Sequence, residues 1–229
     1  MADEEIEKTG LSGSLHIVKN RLEGLIDTGK MISSLFNLAA ERGIHFLGGW
    51  EISHFEKKNS QIELSTSNGR KLFTNVLMIC TNGYAHRWFP DEVKPARAQV
   101  LITSEIPGLK LNGGYHFNKG YYYFRNVGNR VLFGGGRNLD FSGEETDIEE
   151  TTVQIQSHLD EILHTFILPG KNAQIEMRWA GVMGIGEKKS PFLQKTEDGI
   201  FVAIRMGGMG VALGTLIGQE LAALVISDA

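Results

Sequence analysis

Cysteine is almost missing from this sequence: Cys80 is the single one in 229 residues. A lone thiol excludes an internal disulfide and suits a reducing compartment. A basic run is also missing, and the formal net charge is -4 at pH 7, so nucleic acid finds no electrostatic footprint. The opening residues Met1-Ala2-Asp3-Glu4-Glu5 are acidic where a secretory leader would be basic and then apolar, so a cytoplasmic location is expected. The seven histidines show no His-x-His or His-Glu-x-x-His spacing and Cys80 has no second cysteine, so no metal site is expected. No Gly-x-Ser-x-Gly elbow or Ser-His-Asp constellation occurs either. Nor is there a Gly-x-Gly-x-x-Gly turn. Gly134-Gly135-Gly136 lacks the spacing, and Gly208-x-Gly210 meets Leu213 where the last glycine should stand.

Glycine itself is plentiful, with 28 residues in no periodic pattern, which points to tight turns and close approach of backbone to a ligand. The densest stretch follows the apolar run Ile200-Phe201-Val202-Ala203-Ile204 and reads Arg205-Met206-Gly207-Gly208-Met209-Gly210-Val211-Ala212-Leu213-Gly214. A helical run, Val211 to Ile226, leaves it. The order is strand, glycine turn, helix. Free N–H groups at such a helix start favour negative charge, a phosphate or the pyrimidine edge of a reduced flavin. A plain strand–turn–helix corner accounts for the same letters. Gly214, Gly218 and Ala222 share one helix face and would admit a close strand. Gln219 and Glu220 near the middle argue against a membrane span, so a buried helix is expected.

Along the rest of the chain, Asp27-Thr28 offers an N-cap to a helix with Ile32, Leu35, Phe36, Leu38 and Ala39 on its apolar face, stopped at Arg42-Gly43. Gly48 to Ile52 is strand-like, and Gln61 to Phe73 reads as a ribbon turning at Asn68-Gly69. Asn75 to Cys80 reads as a buried strand, with Cys80 in the core. Gln99 to Thr103 is a strand. Tyr121 to Arg125 and Arg130 to Gly134 form a hairpin, with Tyr121, Tyr123 and Arg125 on one face and Tyr122 and Phe124 on the other. Asp147 to Ile167 reads as a helix, Gln174 to Trp179 as a strand and Gly181 to Gly186 as a loop. Flanks of α/β character around an antiparallel middle suggest two interleaved domains.

Five features in order carry a family likeness: Gly24-Leu25-Ile26-Asp27; Cys80-Thr81-Asn82-Gly83-Tyr84; Lys94 to Val100; Arg178-Trp179-Ala180-Gly181; and Gly207-Gly208-Met209-Gly210-Val211. Together they resemble the D-amino-acid oxidase-like family of FAD-dependent oxidoreductases, which includes glycine and sarcosine oxidases. The resemblance implies an α/β fold: a partial FAD-binding α/β domain, residues 15–94 and 183–229, interleaved with an antiparallel-sheet substrate domain, residues 95–182. It implies FAD as cofactor and a small amine or amino-acid substrate, oxidised at its C–N bond by hydride transfer to the flavin. Carried over residue by residue, Glu51 and Ile52 would meet the adenine. Thr81, Asn82 and Gly83 would form the strand-end turn near the dinucleotide, and Gly207, Gly208, Met209, Gly210 and Val211 would underlie the flavin pyrimidine.

Two departures qualify this likeness. The βαβ unit that cradles the pyrophosphate is absent, so the chain resembles the C-terminal portion of a longer enzyme and, by itself, is expected to be inactive. A non-catalytic domain that completes a separate dinucleotide-binding subunit is the alternative. Where many relatives carry an arginine for the substrate carboxylate, this chain has Val182 and Met183. Tyr123, Arg125 and Met183 are therefore the candidate substrate-side residues. Arg137 and Arg178 are further clamp candidates that also read as structural.

Overall fold

The computed structural model describes residues 3–228. In chain order the elements are α1 (Ile6–Thr9), α2 (Thr28–Glu41), β1 (Ile52–Lys58), β2 (Gln61–Thr66), β3 (Lys71–Thr74) and β4 (Leu77–Ile79), followed by a 3-10 turn at Asn82–Arg87. Next come β5 (Lys94–Thr103), β6 (Gly114–Phe117), β7 (Tyr122–Val127), β8 (Arg130–Gly135) and α3 (Val153–Ile162), then β9 (Ile175–Ile185), β10 (Phe192–Glu197), β11 (Ile200–Ile204) and α4 (Gly210–Asp228). The chain divides into two compact, discontinuous units. One takes the chain before Ile26 with Pro95–Met183; the other takes Ile26–Lys94 with the chain from Gly184 on.

The first unit is built on a sheet of order β6-β7-β8-β5-β9. Alternation along β7 sends Tyr122 and Phe124 inward, each 3% exposed, onto Phe133, Leu159 and Leu163, and leaves Tyr123 outward; Tyr121, expected on the strand, stands exposed just before it. That division matches the alternating pattern of the sequence. α3 covers the inner face with Ile155 and Leu159. Its start is later than the sequence suggested, at Val153 and not Asp147. The cause is the buried Gln99, whose Oε1 accepts from the Thr152 N–H at 2.9 Å while its Nε2 donates to Thr152 Oγ1 at 3.0 Å. Thr152 is thereby held extended, and its hydroxyl accepts from the Ile155 N–H as the N-cap. Beneath this cap lies an ion pair with both partners buried, Arg97 with Glu144, whose carboxylate also accepts from Gln99.

The second unit carries two small sheets, an antiparallel β1-β2-β3 and a mixed β10-β11-β4. β11 runs parallel to β4, with Ile200 opposite Leu77 and Val202 opposite Ile79, and all five of its residues are buried. α4 packs on this sheet through Ile217 and Leu221, against Phe201 and Ala203.

Several expectations are corrected here. β4 is three residues long and Met78 is 52% exposed, so the strand is not fully buried. Cys80 lies past its end and is exposed, outside the core. Gly48 to Glu51 is not strand, which begins at Ile52. β9 runs through Gly181 and Gly184 to Ile185 where a loop was expected. α4 is not a buried helix: only Ile217 and Leu221 are buried, and Gly214, Gly218 and Ala222 stand open. By length and composition α4 could cross a membrane, with mean hydropathy 1.6. In this structure one side rests on β10 and β11, and Asp228 at its end pairs with Lys195. α2 begins at its expected N-cap, with Asp27 Oδ1 accepting from the Lys30 N–H at 3.0 Å. None of its residues is buried, however, and Ile32, Leu35, Phe36 and Leu38 stay 46–51% exposed.

The β1-β2-β3 sheet gives a pH prediction. Glu63 on β2 receives both Lys71 and Lys58, and these hydrogen bonds hold its carboxyl below the usual glutamate range. A lowered folded pKa contributes stability that is complete above the unfolded value and is lost as pH falls through the folded one. Acid titration below about pH 4.3 should therefore loosen this sheet, as read by hydrogen exchange in β2. Glu63→Gln should remove that acid dependence.

Candidate functional site

Parallel strands place their carboxyl ends side by side, and ligands of open α/β sheets bind outside those ends. Here β4 ends into Thr81-Asn82-Gly83 and β11 into Arg205–Gly210. Asn82 adopts a left-handed backbone, φ 47°, and its Oδ1 accepts from the Met206 N–H at 3.0 Å. The Gly184 carbonyl accepts from the Gly207 N–H at 2.9 Å. Gly184 has to be glycine, because a Cβ there would lie 2.5 Å from Asn82 Oδ1. Arg205 is left-handed too, φ 64°, and its guanidinium is buried. It donates to Ser190 O at 3.0 Å and, at 2.9 Å each, to Glu92 O and Oε2, and it lies over the Phe192 ring. Two non-glycine residues in this region of the backbone are held there by the contacts around them, a kind of strain that gathers at functional sites.

These contacts set the turn. Gly207 and Gly208 follow with φ 57° and 81°, and the Met209 N–H closes onto Met206 O at 2.8 Å. Residues 207–211 are exposed. Among the described residues nothing accepts from the N–H groups of Gly208, Gly210 or Val211. Backbone shape explains glycine at 207 and 208. It does not explain Gly210, which has ordinary φ and room for a Cβ, its nearest neighbour being Met206 Cβ at 3.7 Å. The other candidates of this unit connect to the turn. Asn82 bonds it directly. Glu51 Oε1 accepts from Arg87 Nη1 at 2.9 Å, tying the start of β1 to the 3-10 turn that opens at Asn82. Ile52 pairs with Thr66 beside a register shift. The amides of Gly208, Gly210 and Val211 are donors, and the one carboxylate described at this turn, that of Glu92, is held by Arg205, an arrangement that suits an electron-rich ring or an anion.

In the antiparallel unit, Tyr123 and Arg125 stand on the outer face of β7. Tyr123 lies flat across Gly134, its register partner. A Cβ on Gly134 would be 2.9 Å from the Tyr123 hydroxyl and 2.4 Å from Val100 Cγ1. Lying against the sheet pushes the phenol pKa up, through burial. Arg125 is half-buried opposite Gly114 and Leu132. Met183 is on β9, and β8 and β5 separate that strand from β7, about 14 Å at the usual strand spacing. Within this sheet, then, the structure unites Tyr123 with Arg125 and leaves Met183 apart. Arg178 is engaged elsewhere: it grips both Asp160 oxygens at 2.8 Å and Gln156 Oε1 at 2.7 Å. Sequence reading missed the Asn82–Met206 tie and the left-handed Arg205. The run of glycines beside an arginine was the one available signal.

Residues 3–224 match the family DAO, FAD dependent oxidoreductase. A search of curated protein sequences gave no match. Among solved structures, glycine oxidase from Geobacillus kaustophilus is similar at 22% identity and TM-score 0.71, over 85% of this chain and 53% of its own. L-proline dehydrogenase from P. horikoshii is similar at 20% identity and TM-score 0.70, over 87% of this chain and 55% of its own. Amadoriase I, a fructosyl amine:oxygen oxidoreductase from Aspergillus fumigatus, gives TM-score 0.76 at 13% identity, over 98% of this chain and 59% of its own. The chain thus spans a little over half the length of each of these structures. These likenesses show the fold, an α/β architecture with antiparallel sheet, and the match over nearly the whole sequence shows the family: the chain belongs to the DAO family of FAD-dependent oxidoreductases.

Proposed function

We propose that this chain contributes the flavin-facing turn and the substrate-facing sheet of an enzyme that oxidises a C–N bond of an amino acid or secondary amine. The single observation that carries the reading is the exposed turn Gly207–Val211, whose N–H groups at Gly208, Gly210 and Val211 have no acceptor among the described residues. Family membership names the cofactor, FAD, and when bound it supplies the ring that accepts the hydride. These amides would hold the ring's pyrimidine edge. Thr81, Asn82 and Gly83 would border the dinucleotide, and Glu51 and Ile52 the adenine. Tyr123 and Arg125 would orient the substrate, with Met183 contributing from β9. On this reading the expected division, 15–94 and 183–229 for the cofactor and 95–182 for the substrate, is kept except that the chain before Ile26 and Met183 go with the substrate unit.

A second reading has its own support. α2 exposes its apolar face, α4 exposes Gly214 and Gly218, and β4 is an edge of its sheet. Open edges and contiguous apolar faces are surfaces that proteins cover. A dinucleotide-binding βαβ unit, from the same polypeptide or a separate subunit, would cover them and bring the pyrophosphate turn that the sequence lacks. The chain would then complete such a subunit.

The test is to produce the chain joined to, or together with, a βαβ unit of this kind. The protein should be yellow and should bleach on anaerobic addition of amino acids or secondary amines. A colourless product contradicts the flavin reading, and a yellow one that no such compound bleaches contradicts the C–N chemistry.

A further inference from the structure

Among the described residues the three sheets present six edges, β1, β3, β4, β6, β9 and β10. Five of them carry a feature that discourages pairing with a further strand. β3, β4 and β6 are three or four residues long. β1 holds Lys57 and Lys58 and a register shift between Ile52 and His54, and β10 holds Lys195 beside a register shift of its own. Short strands, lysines and bulges are the usual protections of an open edge. β9 differs. It has 11 residues with neither lysine nor proline, and only β5 pairs with it. No turn or loop of the described residues hydrogen-bonds the backbone of residues 175–179, and Met177 and Trp179 there are 58% and 39% exposed.

This open stretch reads Ile175-Glu176-Met177-Arg178-Trp179, and it complements itself when turned end for end. An antiparallel copy centred on Met177 sets Glu176 opposite Arg178, Arg178 opposite Glu176 and Ile175 opposite Trp179. Both charged side chains stay accessible while bonded within their own chain. Glu176 meets Arg130 and Arg178 meets Asp160, with 48% and 30% of their side-chain surfaces exposed. Opposite charges that face each other across strands stabilise the pair, and like charges oppose it. Ile175 also borders an open groove of about 640 Å³, with Asp160 and His164 of α3 on its other side, which leaves room for the other copy's Trp179. Tryptophan and arginine are the side chains that most often anchor an interface.

We propose that β9 is a self-association edge: two copies of this chain pair antiparallel through residues 175–179, about a two-fold axis at Met177, and join their sheets into one. Such a contact uses the same surface on both copies and closes at two. β9 as far as Met183 belongs to the antiparallel unit, so the dimer stands or falls independently of the flavin reading.

The test is made on the whole chain with Cys80→Ser, which removes the single native thiol. Met177→Cys should give a disulfide-linked dimer on mild oxidation, because the two Cα atoms on the axis lie about 4.5–5.5 Å apart, within disulfide reach. Ile175→Cys alone and Trp179→Cys alone should give none, since like positions stand about 14 Å apart along the strands. Mixed together, these two should cross-link to each other. Sedimentation velocity supplies the charge test. Glu176→Arg alone and Arg178→Glu alone should each raise the dimer dissociation constant about tenfold or more, and an equimolar mixture should recover the dimer, which also shows that both variants fold. A parent chain that stays monomeric overturns the proposal. So does a dimer that cross-links at Ile175→Cys as readily as at Met177→Cys, or one that forms without cross-linking at Met177→Cys. Assemblies that grow beyond two copies overturn it as well.

Discussion

Arg97→Met should destabilise the antiparallel unit by about 3–5 kcal/mol, because it leaves a buried carboxylate without its cation. Arg97 is 7% exposed and Glu144 2%, and Arg97 donates to both Glu144 oxygens, through Nε at 3.0 Å and Nη2 at 2.7 Å. The damage should spread along a defined path. Glu144 also accepts from Gln99, and Gln99 holds Thr152 at the start of α3. Urea unfolding followed with hydrogen exchange should show the loss in β5 and in the first turn of α3 before any other part of this unit. Adding Glu144→Leu should recover part of the stability but not all, since Gln99 Nε2 then keeps only Thr152 Oγ1 as acceptor. A single variant as stable as the parent would show that this network does not hold the unit together.

That network also shows where sequence reading stops. The α3 apolar spacing is visible from Asp147 onward, but Gln99, 53 residues away along the chain, decides where the helix starts. Glycines in β9 read as a loop because glycine ordinarily marks one. In the structure Gly184 is small so that Asn82 can approach, and Gly186 so that the Arg205 side chain can pass, a Cβ there lying 2.5 Å from Arg205 Cδ. The apolar faces of α2 and α4 were legible as faces. Their exposure was not: α2 buries none of its residues and α4 only Ile217 and Leu221. The alternation in β7 was legible from Tyr122 to Arg125 because it is a local property of the strand, whereas Tyr121, expected on the strand, precedes it with helical backbone. Of the candidate site, the glycine turn was visible as composition. Its geometry depends on Asn82 and Gly184, both distant in sequence, and no local pattern announces them.

Gly210 separates the fold's requirements from the ligand's. A valine there should leave unfolding free energy within about 1 kcal/mol of the parent, or raise it, since glycine is the poorer helix former. The same side chain would stand among N–H groups that the flavin is proposed to meet. Losing one such charge-assisted contact weakens binding about ten- to a hundredfold. Gly207→Ala is a less clean probe, because its left-handed φ alone costs about 1–2 kcal/mol.

The decisive measurement is FAD affinity of Gly210→Val against the parent, each combined with a dinucleotide-binding βαβ unit, alongside urea unfolding of both. Unchanged folding with flavin affinity reduced at least tenfold is the expected outcome. Equal flavin affinity in the two proteins would mean that the amides before α4 do not face the cofactor, and the account of this site would be wrong.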